Sequence, residues 1–108
     1  MSIYALFNVP LQDRLVTPIH PETWFPNTPY PREARERHEQ GAVSVEVVVD
    51  EKGRVSGCAV TFSSGSAALD EMTCTLARRN GRFKPAITNG VPVRATYSLR
   101  SIRWVLNP

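Results

Sequence analysis

The sequence predicts an α+β fold: a small antiparallel sheet of about three strands with two helices packed on one face, in the order helix, strand, strand, helix, strand. Three observations carry that expectation. Val43, Val45, Val47 and Val49 recur at every second position, the period of a half-buried strand. Leu69, Met72, Thr73, Leu76 and Ala77 recur at the spacing of one buried helical stripe. A chain of 108 residues, 42% hydrophobic and 21% charged, has the size and composition of a single globular domain.

Proline divides the chain. Six of its nine prolines fall in the first 31 residues, where fixed φ angles and missing N–H donors disfavour helix and internal strand. Residues 1–29 therefore read as a proline-rich extended lead-in, with a short strand or turn at Tyr4 to Val9, and residues 30–108 as the folded domain. Trp24 and Phe25 qualify this division. Two adjacent large aromatics are costly to leave in water, so that part of the lead-in is expected to lie against the domain.

Pro31 suits the first position of a helix running to the terminator Gly41. Arg32 with Glu36, Glu33 with Arg37 and Arg35 with Glu39 stand four apart, pairs worth only a few tenths of a kcal/mol each, and only Ala34 and His38 share its less charged face. After the valine strand, Asp50-Glu51-Lys52-Gly53 is a short polar link that closes a hairpin, with Gly53 as its left-handed residue. In the return strand, Arg54 to Phe62, the apolar positions skip from Val55 to Cys58, Val60 and Phe62. One extra residue at Ser56-Gly57 would place all four on one face.

Ser63 to Ser66 breaks that strand, and Ser66 caps the second helix. Asp70 and Glu71 sit near its positive end, Arg78 and Arg79 near its negative end, and Asn80-Gly81 stops it. Asn89-Gly90 is a turn pair. In the last strand, Val93 to Val105, the apolar set Val93, Ala95, Tyr97, Leu99 changes phase to Ile102, Trp104, Leu106. That change predicts a bulge or bend at Arg100-Ser101.

Chemistry is sparse along the chain. His20 and His38 are its two histidines, and no serine or cysteine is placed beside either, so no catalytic dyad is expected. Two cysteines without tight C-x-x-C pairing make a poor zinc site. The sequence thus implies no enzyme, no metal and no cofactor. No stretch approaches the roughly 18 apolar residues that span a bilayer, and the chain as given reads as soluble, without an anchor.

The net charge is +3, with arginine supplying 11 of 13 basic residues, too mild an imbalance to imply nucleic acid. Arg78, Arg79, Arg82 and Lys84 cluster near a helix end, and Arg94, Arg100 and Arg103 lie on the last strand. Only Tyr97 and Trp104 offer aromatics among them, so a solvated basic surface is preferred to a base-stacking platform. Cys58 and Cys74 stay open at this level. They are two buried thiols, a disulfide favoured by an oxidising compartment, or a redox pair; a bond closing a loop of about 17 residues would contribute about 3 kcal/mol.

Five motifs in order, YPREA before a short helix, GAVSVEVVVDEKGRV, SSGSAALDEMTC, RFKPA and NGVPV with a final strand, resemble the TonB C-terminal domain over about Tyr30 to Leu106. Some family members carry one cysteine before the SSG turn and another in the following helix, which supports a Cys58–Cys74 bond in the periplasm. The resemblance implies a binding role. TonB proteins are anchored in the inner membrane, driven by the proton-motive-force complex of ExbB and ExbD, and grip the Ton box of outer-membrane transporters by strand addition, powering uptake of cargo such as siderophores or cobalamin.

In that family the partner pairs with the edge of the final strand, matched here by Tyr97, Ser98, Leu99, Arg100, Ser101, Ile102 and Arg103. The segment before the first helix, with Asn27, Thr28 and Tyr30, also lies near the Ton box. Beyond its 30-residue lead-in the chain shows neither the family's anchor nor its long proline-rich spacer. It reads as an excised domain or a stand-alone product, in the periplasm and tethered to the inner membrane if an anchor precedes it. A homodimer is a further expected partner state, Tyr4 to Val9 is a candidate occupant of the free edge, and a TolA-like envelope linker is the alternative binding role.

Overall fold

A computed structural model describes residues 13–26 and 30–106. In chain order it contains β1 (Thr17–Pro18), a 3-10 turn (Pro21–Thr23), α1 (Arg32–Glu36), β2 (Gly41–Val49), β3 (Val55–Phe62), α2 (Ala67–Asn80), β4 (Phe83–Lys84), β5 (Ala86–Thr88), β6 (Val91–Val93) and β7 (Ala95–Trp104). The expected α+β architecture is present: β2 lies at the centre of an antiparallel sheet ordered β3, β2, β7, with both helices on one face.

The core lies between that face and α2. Val43, Val45, Val47 and Val49 are fully buried and meet Leu69, Leu76 and Ala77 of the helix, with Ala34 of α1 beside them. Burying an aliphatic side chain of this size contributes about 1.5–3 kcal/mol, so the valine row and its facing stripe dominate the stability of so small a core. Ser66 caps α2 as expected, its hydroxyl accepting from the Leu69 N–H at 3.2 Å. Cys58 and Cys74 are bonded to each other with a Cα separation of 5.7 Å, tying β3 to α2.

The β2–β3 hairpin turns as predicted, with Gly53 at φ 81°. A side chain there would also collide with a neighbour, because a Cβ would fall 2.0 Å from the Phe83 carbonyl oxygen. Ser56 is the predicted extra residue: Val48 pairs with Gly57 and Val49 with Val55. A second irregularity was not expected. Thr61 is skipped between the pairs Val45–Val60 and Ser44–Phe62, so Phe62 turns onto the open face with Ser44 and is 67% exposed. Only Val55, Cys58 and Val60 share the core side.

Three further departures concern the first helix and the start of the last strand. Helix α1 ends at Glu36 rather than near Gly41, because His38 adopts φ 55° and Glu39 turns away to accept from the Ser66 hydroxyl at 2.7 Å. Among the described residues the helix keeps the Arg32–Glu36 pair at 3.3 Å but not the pairs Glu33–Arg37 or Arg35–Glu39. The last strand begins at Ala95, since Val93 belongs to a hairpin of β5 and β6 turned by Asn89 and Gly90, both left-handed.

The lead-in docks on the domain. Thr17 and Pro18 pair with Lys84 and Phe83, and Arg14 exchanges backbone hydrogen bonds with Ile87. Trp24 is 2% exposed, its ring 5.1 Å from that of Phe83, and the Asn80 amide donates to its carbonyl at 2.7 Å. Tyr4 to Val9 lie outside the described residues.

Candidate functional site

The apolar alternation of β7 gives it one buried row. Ala95, Tyr97 and Leu99 face the helix side, opposite Val49, Val47 and Val45, and after a phase change Ile102 stands opposite Val43. The change is a bulge, as the sequence predicts. Ser44 alone stands opposite Arg100 and Ser101, and Ser101 adopts φ 56°. The Ser101 N–H donates to the Ser44 hydroxyl at 2.9 Å, supplying the partner that the broken ladder withholds.

Pairing with β2 uses one side of β7. No described strand lies on its other side, so over ten residues the N–H and C=O groups of alternate residues point out from the sheet. Arg94, Arg100 and Arg103 are all exposed along this strand and its approach. Charged side chains of this kind discourage indiscriminate edge-to-edge pairing while leaving the backbone accessible.

The C-terminal end of β7 is fastened by an aromatic peg. Trp104 is 4% exposed, and its indole N–H donates to the Thr73 hydroxyl at 2.8 Å. Thr73 in turn donates to the Leu69 carbonyl at 2.8 Å, so the hydroxyl is satisfied in both roles. The Tyr30 ring meets that of Trp104 edge-on at 5.3 Å, and the Arg35 guanidinium lies 5.8 Å from the Tyr30 ring centre. The Tyr30 hydroxyl donates to the Glu39 carbonyl. Burial pushes its pKa up, with Arg35 opposing and Glu39 reinforcing the shift.

These contacts unite two segments singled out in the sequence. Tyr30, Ile102 and Arg103 line one narrow crevice with Phe25, Pro26 and Trp104. Asn27 and Thr28 lie outside the described residues. Ser98, Arg100, Ser101 and Arg103 are exposed, whereas Leu99 is buried against the core and Tyr97 packs on Phe83 at 5.4 Å. Leu99 and Tyr97 can therefore offer a partner mainly their backbone. Neither Tyr97 nor Trp104 is free to act as a base-stacking platform. The cysteines are bonded to each other, so neither is available as a thiolate nucleophile.

Three residues of this region carried no sequence signal as site residues: Thr73, Ser44 and Phe25. The demand of a buried indole N–H for an acceptor was the one clue, and it pointed to Trp104 rather than to its partner. No helix among the described residues is long and apolar enough to cross a membrane.

Residues 26–106 match the family model described as Gram-negative bacterial TonB protein C-terminal. Protein TonB of Pseudomonas putida is 46% identical over 52 residues, which cover 48% of this chain and 21% of that protein. Protein TonB of Vibrio cholerae serotype O1 is 39% identical over 64 residues, 59% of this chain and 26% of that one. The solution NMR structure of the Pseudomonas aeruginosa TonB C-terminal domain aligns with a TM-score of 0.48 and 26% identity, over 84% of this chain and 89% of that one. This chain matches between a fifth and about a quarter of the length of these two curated relatives. With the family model covering residues 26–106, three quarters of its length, the chain belongs to the TonB C-terminal family.

Proposed function

We propose that this chain is the periplasmic binding domain of a TonB-type energy transducer and takes the Ton box of an outer-membrane transporter as an added strand on the outer edge of β7. The observation that carries this is the position of β7: ten residues long, at the rim of the sheet, with no described strand on its outer side. Strand addition draws its affinity from backbone groups, which every peptide carries, so one domain can serve transporters of different sequence. Selectivity then falls to side chains beside the edge: exposed Arg100 and Arg103, and the crevice between Tyr30, Ile102 and Trp104.

Binding alone is required of the domain, and no catalytic group takes part. In a transducer of this kind, ExbB and ExbD supply proton-motive-force-derived work through a membrane anchor, and the domain delivers it as a pull for uptake of cargo such as siderophores or cobalamin. When the pull runs along the paired strands, hydrogen bonds individually worth about 0.5–1.5 kcal/mol share the load and must fail together. A homodimer formed through β7 would use the same backbone groups and so compete with the transporter.

Titrating the 15N-labelled chain with synthetic Ton-box peptides tests this. The amides of Ala95 to Trp104 are expected to shift, and N-methylation at alternate peptide positions should weaken binding sharply while the intervening positions tolerate it. Saturating peptide that leaves those amides unmoved would sink the proposal.

A further inference from the structure

Both neighbours of β2 become irregular at the same residue. Between the partners of Ser44 and Val45 the β3 ladder skips Thr61, and opposite Ser44 the β7 ladder accommodates both Arg100 and Ser101. The two irregularities open a shallow groove on the sheet face away from the helices, lined by Ser44, Thr61, Phe62, Ser98, Arg100 and Ser101. Ser101 is left-handed at φ 56°, a conformation unfavourable for a residue with a Cβ. It is held by the Ser44 hydroxyl, which accepts the Ser101 N–H at 2.9 Å.

The step changes what the outer edge of β7 offers. On a uniform edge, an added strand displaced by two residues keeps each side chain on its own face and regains all but its terminal pairs. A load along the strands could then move it stepwise without ever breaking the whole ladder. On β7 the inward-facing set passes from Ala95, Tyr97 and Leu99 to Ile102, across the bulge. A displaced strand would bring regular backbone against the left-handed residue and lose pairs in the middle of the ladder. One register therefore stands apart from its neighbours.

Resting on the strand-addition function above, we propose that Ser44 is a positioning residue for partner binding: by pinning the Arg100–Ser101 step, it fixes the register of the added strand and blocks slippage along β7. Ser44 lies on β2 and acts through Ser101, without itself belonging to the edge.

The test uses the whole 15N-labelled chain with a synthetic Ton-box peptide carrying a nitroxide at one end, read by paramagnetic broadening and by titration calorimetry. In the wild-type protein, broadening should centre on one position of β7. Ser44→Ala should spread it over positions two residues apart and weaken binding about two- to tenfold, the scale of one hydrogen bond. Ser44→Thr, which keeps the acceptor, should restore the single centre.

A wild-type complex with several centres, or Ser44→Ala with one unshifted centre and wild-type affinity, overturns the proposal. Melting and the core valine amides report whether Ser44→Ala folds. Should it not, Ser101→Val provides the comparison: a β-branched side chain resists the left-handed φ and undoes the step, and a single unaltered centre in that variant overturns it equally. If the peptide leaves β7 of the wild-type protein untouched, strand addition itself fails, and this inference fails with it.

Discussion

Thr73→Val isolates the fastening of β7 to α2. Valine replaces the hydroxyl with a methyl of similar size, so packing is kept while the acceptor of the Trp104 indole N–H, now 2.8 Å away, disappears. Trp104 is only 4% exposed and Thr73 is fully buried, so water does not easily take the place of the hydroxyl. The cost is that of one buried unsatisfied donor, about 1–3 kcal/mol. The Leu69 carbonyl, which accepts from Thr73, lies within α2 and adds little. For a domain of this size each kcal/mol lowers the melting temperature by about 4–8 °C.

Urea unfolding with an unchanged m-value would measure the loss. A double-mutant cycle supplies the sharper test. Trp104→Phe removes the donor, and in the Thr73→Val background it should cost about 1 kcal/mol less than in the wild-type protein, because the orphaned N–H goes with it. A Thr73→Val protein within about 0.5 kcal/mol of wild type, or strictly additive costs in the cycle, would refute the reasoning.

Other outcomes follow from the same geometry. Cys74→Ser opens the Cys58–Cys74 link, whose sequence separation is 16, and should lower stability by about 2–4 kcal/mol in chemical denaturation while peptide affinity of the folded protein stays unchanged. For Asp70, burial pushes the carboxyl pKa up, but donors from Ser63 and Ser64 outweigh it and leave the group below its ordinary value. A depressed pKa in the folded state stabilises above the unfolded-state value and loses that contribution as pH falls through the folded one. The stability gap between wild type and Asp70→Asn should thus be present at neutral pH and shrink below about pH 4; a gap that is flat with pH would contradict this.

The elements legible in the sequence were those whose signal is local. The valine row announces β2, the Ser66 cap and apolar stripe announce α2, and Gly53 announces the hairpin. Bulges were legible only where apolar residues continue beyond them. At Ser56 and at Arg100-Ser101 the change of phase is visible because Cys58 and Ile102 follow. The bulge at Thr61 is followed by Phe62 alone, and one residue cannot report a phase.

Helix α1 was overextended for a related reason. Its charged residues satisfy four-residue spacing well past Glu36, while what ends it is the recruitment of Glu39 by Tyr30 and by Ser66, the latter 27 residues away along the chain. β1, β4, β5 and β6, two or three residues each, are too short for any periodicity. Within the candidate site, the β7 residues followed from the resemblance and the bulge from phase. Ser44 looked like an ordinary outward-facing residue of an alternating strand, because its role depends on a hydrogen bond to a residue 57 positions away.

The docking of Trp24 bears on where the folded unit begins. The family match opens at residue 26, yet Trp24, just ahead of it, is one of the largest fully buried side chains and packs at a tilt against Phe83. Phe83 also touches Tyr97 of β7, so a single row of aromatic rings runs from the lead-in, across β4, to the last strand of the sheet. A chain cut at the family boundary would leave an indole-sized hole at the head of that row and strip the Asn80 amide of its acceptor. Tension applied through the lead-in would likewise reach β7 by this row of rings, without first having to pass along α1.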